Sequence, residues 1–181
     1  VCKVRPVTRV RVYGRDADRR RAFAEQMTKE CGTEVVPVGT PEEAAQGLDI
    51  VITATTSREP VLRGAWLADG SHVNVVGSNF LAKTEVDVDV FRRAEVVTVD
   101  SKEQARLEAG DFVAALREGV LNWAGVWEFP HVLVGRYPGR PSPQAVTVFK
   151  SLGLGIEDVA VGVRVADLAR KQGVGRELPI G

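Results

Sequence analysis

The spacing of apolar positions changes repeatedly along the chain, from the twofold alternation of strands to the longer period of helices. Residues 8–14 (TRVRVYG) alternate polar side chains with valines, which predicts a strand. Residues 16–32 place apolar side chains at i, i+4 and i+8 between a capping Asp16 and a terminating Gly32, which predicts a helix. Residues 48–55 (LDIVITAT) form a continuous apolar run, which is typical of a strand buried on both faces.

The same alternation continues towards the end of the chain. The patterns predict further strands at 33–38, 72–76 and 95–100, and further helices at 41–47, 89–94, 101–119 and 155–173. Residues 120–146 are mixed and contain the loop signal PGRPSP. Strands that alternate with helices, through connections too long for hairpins, predict a parallel sheet covered on both faces. We therefore expect an α/β fold of the doubly wound, Rossmann type, followed by a C-terminal helix.

Composition and charge narrow the class of partner. The chain has 181 residues, of which 44% are hydrophobic, and its 24 basic and 24 acidic side chains cancel. This balance gives no electrostatic reason to expect nucleic acid or an anionic membrane as partner. No apolar run approaches the roughly 20 residues of a membrane-spanning helix. We expect a partner that is a small molecule.

Cysteine and histidine positions bear on compartment and metal binding. The two cysteines, Cys2 and Cys31, predict reduced thiols and a cytoplasmic protein. His72 and His131 are not paired with a cysteine or a carboxylate at the spacing of metal ligands, so we predict no metal site.

Polar residues follow three of the predicted strands. They are Gly14, Arg15 and Asp16 after the first, Thr55 and Thr56 after 48–54, and Gly77, Ser78 and Asn79 after 72–76. The carboxyl ends of parallel strands meet at one edge of a sheet, where a crevice binds ligands. Together the three groups favour a dinucleotide site, although each alone is compatible with ordinary loop chemistry.

The first of these groups bears on the choice of cofactor. An acidic residue at this strand end binds the ribose hydroxyls of NAD, whereas a nearby arginine accommodates the 2′-phosphate of NADP. Gly14 occupies the place where the acid is easiest to position, and Arg15 and Arg19 follow. This arrangement favours NADP slightly, while Asp16 leaves NAD open.

The chain has no Gly-x-Gly-x-x-Gly loop, which in a dinucleotide-binding fold follows the first strand. It begins VCKVRPVTRV, a pattern typical of the end of a helix that leads into a second strand. We therefore expect the first strand and the Gly-rich loop to lie upstream of Val1. In a sheet ordered 3-2-1-4-5-6 this strand is central, so without it the strands at 8–14 and 48–55 would face each other unpaired. We expect the 181 residues alone to be poorly stable, to bind cofactor weakly and to be inactive.

Three segments with characteristic motifs resemble one family. They are GSNFLAKTEVD (77–87), VDSKEQARLEAGD (99–111) and TVFKSLGLGIEDVA (147–160), with VITATTSREPVL (51–62) preceding them. In order and spacing they resemble the ornithine cyclodeaminase/mu-crystallin family over essentially the whole chain. The last segment is the most specific, because Phe-Lys-Ser-Leu-Gly followed by Glu-Asp is not a general pattern.

The resemblance implies a domain organisation and an activity. Members bind a nicotinamide cofactor on a Rossmann domain, and a separate domain supplies most substrate contacts. They include ornithine cyclodeaminase, alanine dehydrogenase, reductases of cyclic imino acids such as pyrroline-2-carboxylate, and the binding protein mu-crystallin. Residues 1–150 would then be the Rossmann domain, and 151–181 a helix and tail leading back to the substrate domain. A homodimer formed through that domain is implied as well.

The resemblance also implies residue roles at the three strand ends. The residues implied to bind the cofactor are Gly14, Arg15, Asp16, Thr55, Thr56, Val76, Gly77 and Ser151. The first three would meet the adenosine ribose or its phosphate, and Val76 and Ser151 would lie near the nicotinamide.

One position departs from the cyclodeaminase pattern. Cyclodeaminases have Gly-Gly-Asp before Lys-Thr-Glu, and that Asp is the acid/base group, whereas here residues 77–79 read Gly-Ser-Asn. A neutral amide forms hydrogen bonds but does not accept a proton as a carboxylate does. Asn79 and Lys83 are therefore candidate catalytic residues of an imine reductase or amino acid dehydrogenase. Two alternatives stay open: a cyclodeaminase in which another residue replaces the Asp, and a cofactor and small-ligand binder without turnover.

Overall fold

The structure is a computed structural model that describes residues 1–137, 139–176 and 178. Strands and helices alternate along it. The strands are β1 (Arg9–Val12), β2 (Glu34–Pro37), β3 (Ile50–Thr53), β4 (His72–Val75), β5 (Ala94–Val99), β6 (Val126–Glu128) and β7 (Val146–Lys150). The helices are α1 (Ala17–Cys31), α2 (Pro41–Ala45), α3 (Val88–Arg93), α4 (Lys102–Glu108), α5 (Gly110–Arg117), α6 (Phe129–Leu133) and α7 (Gly155–Gln172), with a short 3-10 helix at Gly64–Trp66.

Every strand pair in the described residues is parallel, which confirms the predicted α/β class. β1 pairs with β2, and the other strands form a five-stranded sheet in the order β3-β4-β7-β5-β6. The register aligns Thr53 with Val75, Val75 with Lys150, Lys150 with Val99, and Val99 with Glu128. The carboxyl ends of all five strands therefore meet along one edge.

The position of β7 differs from the strand order 3-2-1-4-5-6. β7 is last along the chain, yet it lies between β4 and β5. Val146, Thr147, Val148 and Lys150 are buried, and a strand covered over most of its length is best satisfied with a neighbour on each edge. Residues 120–146, which the pattern left undivided, supply the edge strand β6 and the short helix α6.

β1 and β3 do not pair with each other in the part of the chain that the structure describes. Arg11 of β1 instead contacts α2, since its Nη1 donates to the carbonyl oxygens of Glu43 (2.8 Å) and Gln46 (3.1 Å). β3 is thus an edge strand of its sheet, and Ile52 is 52% exposed. The expectation that this strand is buried on both faces is wrong at Ile52, since only the face with Val51 and Thr53 meets the core.

The core lies between the five-stranded sheet and the helices α3, α4 and α5. Phe112 is its centre: its ring stacks edge-on against Phe91 at 5.3 Å and against Trp123 at 5.9 Å between centroids. The helix predicted at 101–119 is broken at Ala109, so that α5 begins at Gly110. A side chain at Gly110 would overlap the carbonyl oxygens of Phe80 and Lys83, so glycine allows the start of α5 to pack on that loop.

The two long helices have the predicted bounds and different surroundings. Asp16 caps α1, and Gly32 ends it in the left-handed conformation. α7 spans Gly155–Gln172, but its apolar residues, including Val159 and Val163, are exposed. No helix among the described residues has the length and apolarity to cross a membrane.

Candidate functional site

The carboxyl edge of the five-stranded sheet brings three loops together. Beyond the strand ends the ladder continues, because Val76 N donates to Thr53 O (2.9 Å) and Ser151 N donates to Val75 O (3.0 Å). A side chain at Gly77 would overlap the backbone of Thr55, so the loops after β3 and β4 touch there. The edge thus unites the residues that follow β3, β4 and β7.

The Gly-Ser-Asn turn is fixed from below. Gly77 N donates to Glu85 Oε2 (2.7 Å), and the buried Ser78 donates through Oγ to the Lys83 carbonyl (3.0 Å). The Ser78 carbonyl accepts a hydrogen bond from Lys150 Nζ. Asn79 follows this anchored pair and is exposed at the surface of the edge. The turn therefore presents a neutral amide on a firmly held backbone.

Glu85 lies beneath the loops and is fully buried. Its Oε1 accepts from Thr55 N (2.5 Å), and its Oε2 accepts from Thr53 Oγ1 (3.0 Å) and Gly77 N (2.7 Å). A buried carboxylate is costly unless hydrogen bonds satisfy it, and here three donors do so. Glu85 thereby joins the loops that follow β3 and β4.

A buried ion pair supports the same region. Lys150 Nζ lies 3.2 Å from Asp111 Oδ2, and both side chains are fully buried. Asp111 Oδ1 accepts from Glu85 N (2.5 Å) and from Thr84 Oγ1 (3.2 Å). Oδ2 has no aligned hydrogen-bond donor among the described residues, so its contact with Lys150 is an electrostatic one. The pair links the end of β7, the start of α5 and the segment 83–86.

Asp100 orders the loop after β7. Its Oδ2 accepts from Leu152 N (2.6 Å), Gly153 N (3.0 Å) and Ser151 Oγ (3.3 Å), and its Oδ1 accepts from Ser101 N (2.9 Å). Asp100 follows β5 directly and is buried. Ser151 is thus held at the edge by a carboxylate from the neighbouring strand.

The predicted site residues of this edge are accessible above these anchors. Thr55, Thr56 and Asn79 are exposed, and Val76 is 41% exposed. Lys83 is half-buried, with its Nζ 4.9 Å from the centroid of the Phe80 ring. The edge therefore carries an exposed apolar side chain, Val76, together with exposed hydroxyl and amide groups.

The first predicted group lies elsewhere, at the end of β1. Asp16 Oδ1 accepts from the backbone N–H groups of Asp18 and Arg19 at 3.0 Å each, and the Arg19 N–H above all holds the pKa of this carboxyl below its usual value. Arg20 Nη1 donates to the Gly14 carbonyl (2.6 Å), while Arg15 is exposed. Within the described ranges, no hydrogen bond or ion pair joins this group to the edge of the five-stranded sheet.

Sequence reasoning gave Glu85, Asp100, Asp111 and Lys150 only as parts of motifs, and it missed the buried contacts that they form. A signal was present for two of them, since Asp100 and Lys150 directly terminate apolar strand patterns, where a charged residue is unusual. Asp111 carries no such signal. In the residues that the structure describes, no three His, Cys, Asp or Glu side chains are grouped so that they could hold a metal ion.

Comparison with known proteins agrees with this arrangement. Delta(1)-pyrroline-2-carboxylate reductase of Bacillus cereus is 32% identical over 176 residues, which are 97% of this chain and 54% of that protein. The structure of Thermococcus litoralis Delta(1)-pyrroline-2-carboxylate reductase in complex with NADH and L-proline matches with a TM-score of 0.90 at 34% identity, over 98% of this chain and 55% of that one. An archaeal alanine dehydrogenase dimer with bound NAD matches with a TM-score of 0.85 at 30% identity, over 99% and 55%.

The chain spans about half the length of these relatives. The model of the ornithine cyclodeaminase/mu-crystallin family matches residues 1–173, which include all of the motifs that resemble it in the sequence. A match of this extent, supported by relatives above 30% identity over most of the chain, shows that the chain belongs to the ornithine cyclodeaminase/mu-crystallin family.

Proposed function

We propose that the chain is the cofactor-binding part of an NAD(P)-dependent oxidoreductase that acts on an amino acid or a cyclic imino acid, as an imine reductase or amino acid dehydrogenase. The observation that carries the proposal is the exposed, neutral Asn79 on the anchored turn at the carboxyl edge. The related reductase of Thermococcus litoralis holds NADH and L-proline, and the related dehydrogenase holds NAD.

The residues of the carboxyl edge fit a nicotinamide. Val76 offers an exposed apolar surface for a planar ring, and Thr55, Thr56 and Ser151 contribute hydroxyls to the same edge. Such a mixture of one apolar face and a few polar groups is typical of a cofactor site. We infer that these residues and Gly77 bind the nicotinamide half, and that Gly14, Arg15 and Asp16 bind the adenosine half.

The end of β1 supports NADP slightly over NAD. The Asp16 carboxylate already caps α1 and lies 3.6 Å from Arg19 Nε, while Arg15 is exposed and open to a phosphate. The two solved relatives hold NADH and NAD, so we propose NADP only as the preferred form of a site that accepts both. Titration of the full-length protein with NADPH and with NADH decides between them.

The chain's own residues would act by positioning. A reduced nicotinamide, when bound, would supply a hydride for the carbon of a protonated imine, whose nitrogen already carries the proton that the amine product keeps. Asn79 would orient the substrate through hydrogen bonds of its amide, and Lys83 would interact with an anionic group of substrate or cofactor. This division suits hydride transfer to a preformed imine, since no carboxylate of the turn is needed to take a proton.

The cyclodeaminase alternative requires an acid/base group that the site does not offer freely. Glu85 and Asp111 are the buried carboxylates below the turn. Glu85 is engaged by three donors, and Asp111 pairs with Lys150 and also accepts bonds from Glu85 N and Thr84 Oγ1. Neither is free to accept a proton from substrate without releasing these partners, which favours the reductase.

Purified full-length protein tests the proposal against both alternatives. Oxidation of NADPH or NADH by pyrroline-2-carboxylate is the expected result. Release of ammonia from ornithine without net formation of NADH would support a cyclodeaminase, and tight cofactor binding with neither reaction would support a binder. Light scattering of the same sample tests the homodimer that the related dehydrogenase dimer suggests.

Substitution of Asn79 gives a sharper prediction. Asn79→Ala should lower kcat/KM for imine reduction by about tenfold, because one substrate hydrogen bond is lost, whereas Asn79→Asp should retain more activity by keeping an acceptor. Asn122→Ala, on an exposed turn away from the edge, is the control. Unchanged kinetics of Asn79→Ala would remove Asn79 from the substrate site.

A further inference from the structure

Glu85 is a fully buried carboxylate that binds the ends of two loops at once. Its Oε1 accepts from Thr55 N, and its Oε2 accepts from Gly77 N and Thr53 Oγ1. No lysine, arginine or histidine among the described residues forms a salt bridge with it. Three hydrogen-bond donors alone therefore balance this carboxylate.

The backbone of Glu85 is as firmly fixed as its side chain. Its N–H donates to Asp111 Oδ1 (2.5 Å), and its carbonyl accepts from Val61 N (2.8 Å) and Leu62 N (2.9 Å). Val86, the next residue, bridges Leu62 in parallel register. The carboxylate is thus held from the core, and the loops after β3 and β4 are held by the carboxylate.

Gly77 shows how close the two loops come. A Cβ atom there would overlap Thr55 N and O and lie 2.5 Å from Glu85 Oε1. Because Thr55 and Gly77 both point an N–H into the same carboxylate, the spacing of the loops depends on that group. A glutamine has the same shape but only one acceptor oxygen, and it would turn an N–H towards one of the two backbone N–H groups.

We propose that Glu85 is a positioning residue for the nicotinamide half of the cofactor: its carboxylate sets the spacing of the loops after β3 and β4, against which the ring would bind. This rests on the proposed function. Glu85 itself lies below the loops and would not touch the cofactor, so it acts through Thr55 and Gly77. The residues proposed to bind the adenosine half, at the end of β1, form no hydrogen bond with Glu85 within the described part of the chain.

The test compares two ligands on the full-length protein by calorimetric titration. NADH has both halves of the cofactor, whereas ADP-ribose lacks the nicotinamide. Glu85→Gln should raise the Kd for NADH about tenfold and leave the Kd for ADP-ribose within about twofold. At saturating NADH the variant's kcat should also fall. Glu95→Gln, an exposed glutamate at the start of β5, is the matched control and should change neither Kd.

The outcomes separate this proposal from the proposed function. If Glu85→Gln weakens both ligands by the same factor, or neither, the positioning role is overturned while cofactor binding by the wild type stands. If the wild type binds neither ligand, the proposed function fails and this proposal fails with it. Should Glu85→Gln not fold, Thr53→Val removes one donor to the same carboxylate at nearly constant shape. A loss of about twofold to fivefold in affinity for NADH alone is expected, and the same fold-change in Kd for both ligands, or no change in either, would overturn the role.

Discussion

The strands of the five-stranded sheet begin at one edge, the amino edge, and end at the opposite one, the carboxyl edge, and different side chains stabilise the two. At the carboxyl edge, the buried carboxylates of Glu85, Asp100 and Asp111 accept hydrogen bonds from backbone N–H groups. Lys150 forms an ion pair with Asp111. At the amino edge, arginine side chains donate to backbone carbonyls of the connecting segments. Arg140 Nη1 bonds the carbonyls of Gly70 and Ala145, and its Nη2 bonds Thr147 Oγ1 (3.1 Å).

The difference shows which edge is arranged for a ligand. Buried carboxylates cost free energy and are kept where hydrogen bonds or an ion pair satisfy them, so a cluster of them marks loops whose positions matter. The amino edge satisfies the carbonyl groups of its connections with a solvent-accessible side chain, which is inexpensive. The comparison predicts that substitutions at the carboxyl edge cost more stability and affect cofactor binding, while those at the amino edge do neither strongly.

The largest effect is expected at Lys150. Lys150→Met leaves the buried Asp111 carboxylate without its cation and should lower the free energy of unfolding by about 3–5 kcal/mol, measured by urea denaturation of the full-length protein. The double variant Lys150→Met/Asp111→Asn removes both charges and should recover much of this loss. A loss below about 1 kcal/mol for the single variant would contradict the importance of the pair.

An intermediate effect is expected at Asp100. Asp100→Asn replaces one carboxylate oxygen by an NH₂ group, so donors on one side lose their acceptor, and the free energy of unfolding should fall by about 1–3 kcal/mol. The kcat should fall as well, because the loop that holds Ser151 is released. Asp49→Asn, an exposed residue at the amino edge, is the control for the same chemical change. Equal losses of stability in the two variants would contradict the greater sensitivity expected at the carboxyl edge.

The smallest effect is expected at His72, on the amino edge. Burial above all lowers the pKa of this imidazole, with Arg140 nearby adding to the shift, and Nδ1 lies 2.8 Å from Thr147 Oγ1. As the pH falls below about 6.5, His72 of the unfolded chain is protonated before His72 of the folded chain. The free energy of unfolding that this histidine contributes is therefore fully present above about pH 6.5 and is lost as the pH falls. The slope from one such group stays below about 1.4 kcal/mol per pH unit.

Measurement of the urea midpoint between pH 7.5 and 5.5 tests this effect. The loss of stability in the wild type should exceed that in His72→Gln, which does not titrate in this range. If both proteins lose the same stability, His72 contributes nothing to the pH dependence of the free energy of unfolding.

Local patterns were sufficient for much of the fold. The helix α1 was predicted to within a residue, because Asp16 and Gly32 at its ends are local capping signals. The strand at 72–76 and its Gly-Ser-Asn turn were predicted because an apolar β-branched run stops at a glycine. The helix predicted at 101–119 is divided in the structure at Ala109. The second part begins at Gly110, which packs against the distant loop at 80–83.

The candidate site was predictable only where it is exposed. Thr55, Thr56, Val76 and Asn79 follow strands, and parallel strands place such residues at one edge, as the structure does. Two of the anchors beneath them join residues 30 and 72 positions apart, Thr55 with Glu85 and Ser78 with Lys150. A charged residue in a sequence does not by its position show which distant residue it will contact.

Patterns along the chain were enough to establish the α/β class, the edge that carries the polar turns and, through the motifs, the family. They also show that residue 79 is a neutral amide, which bears on the reaction because an amide cannot act as the acid/base group. The position of β7 between β4 and β5, and the burial of three carboxylates and one lysine beneath the edge, became visible in the folded chain alone. Strand order and the pairing of buried charges depend on contacts between distant segments, whereas strands, caps and turns depend on neighbours along the chain.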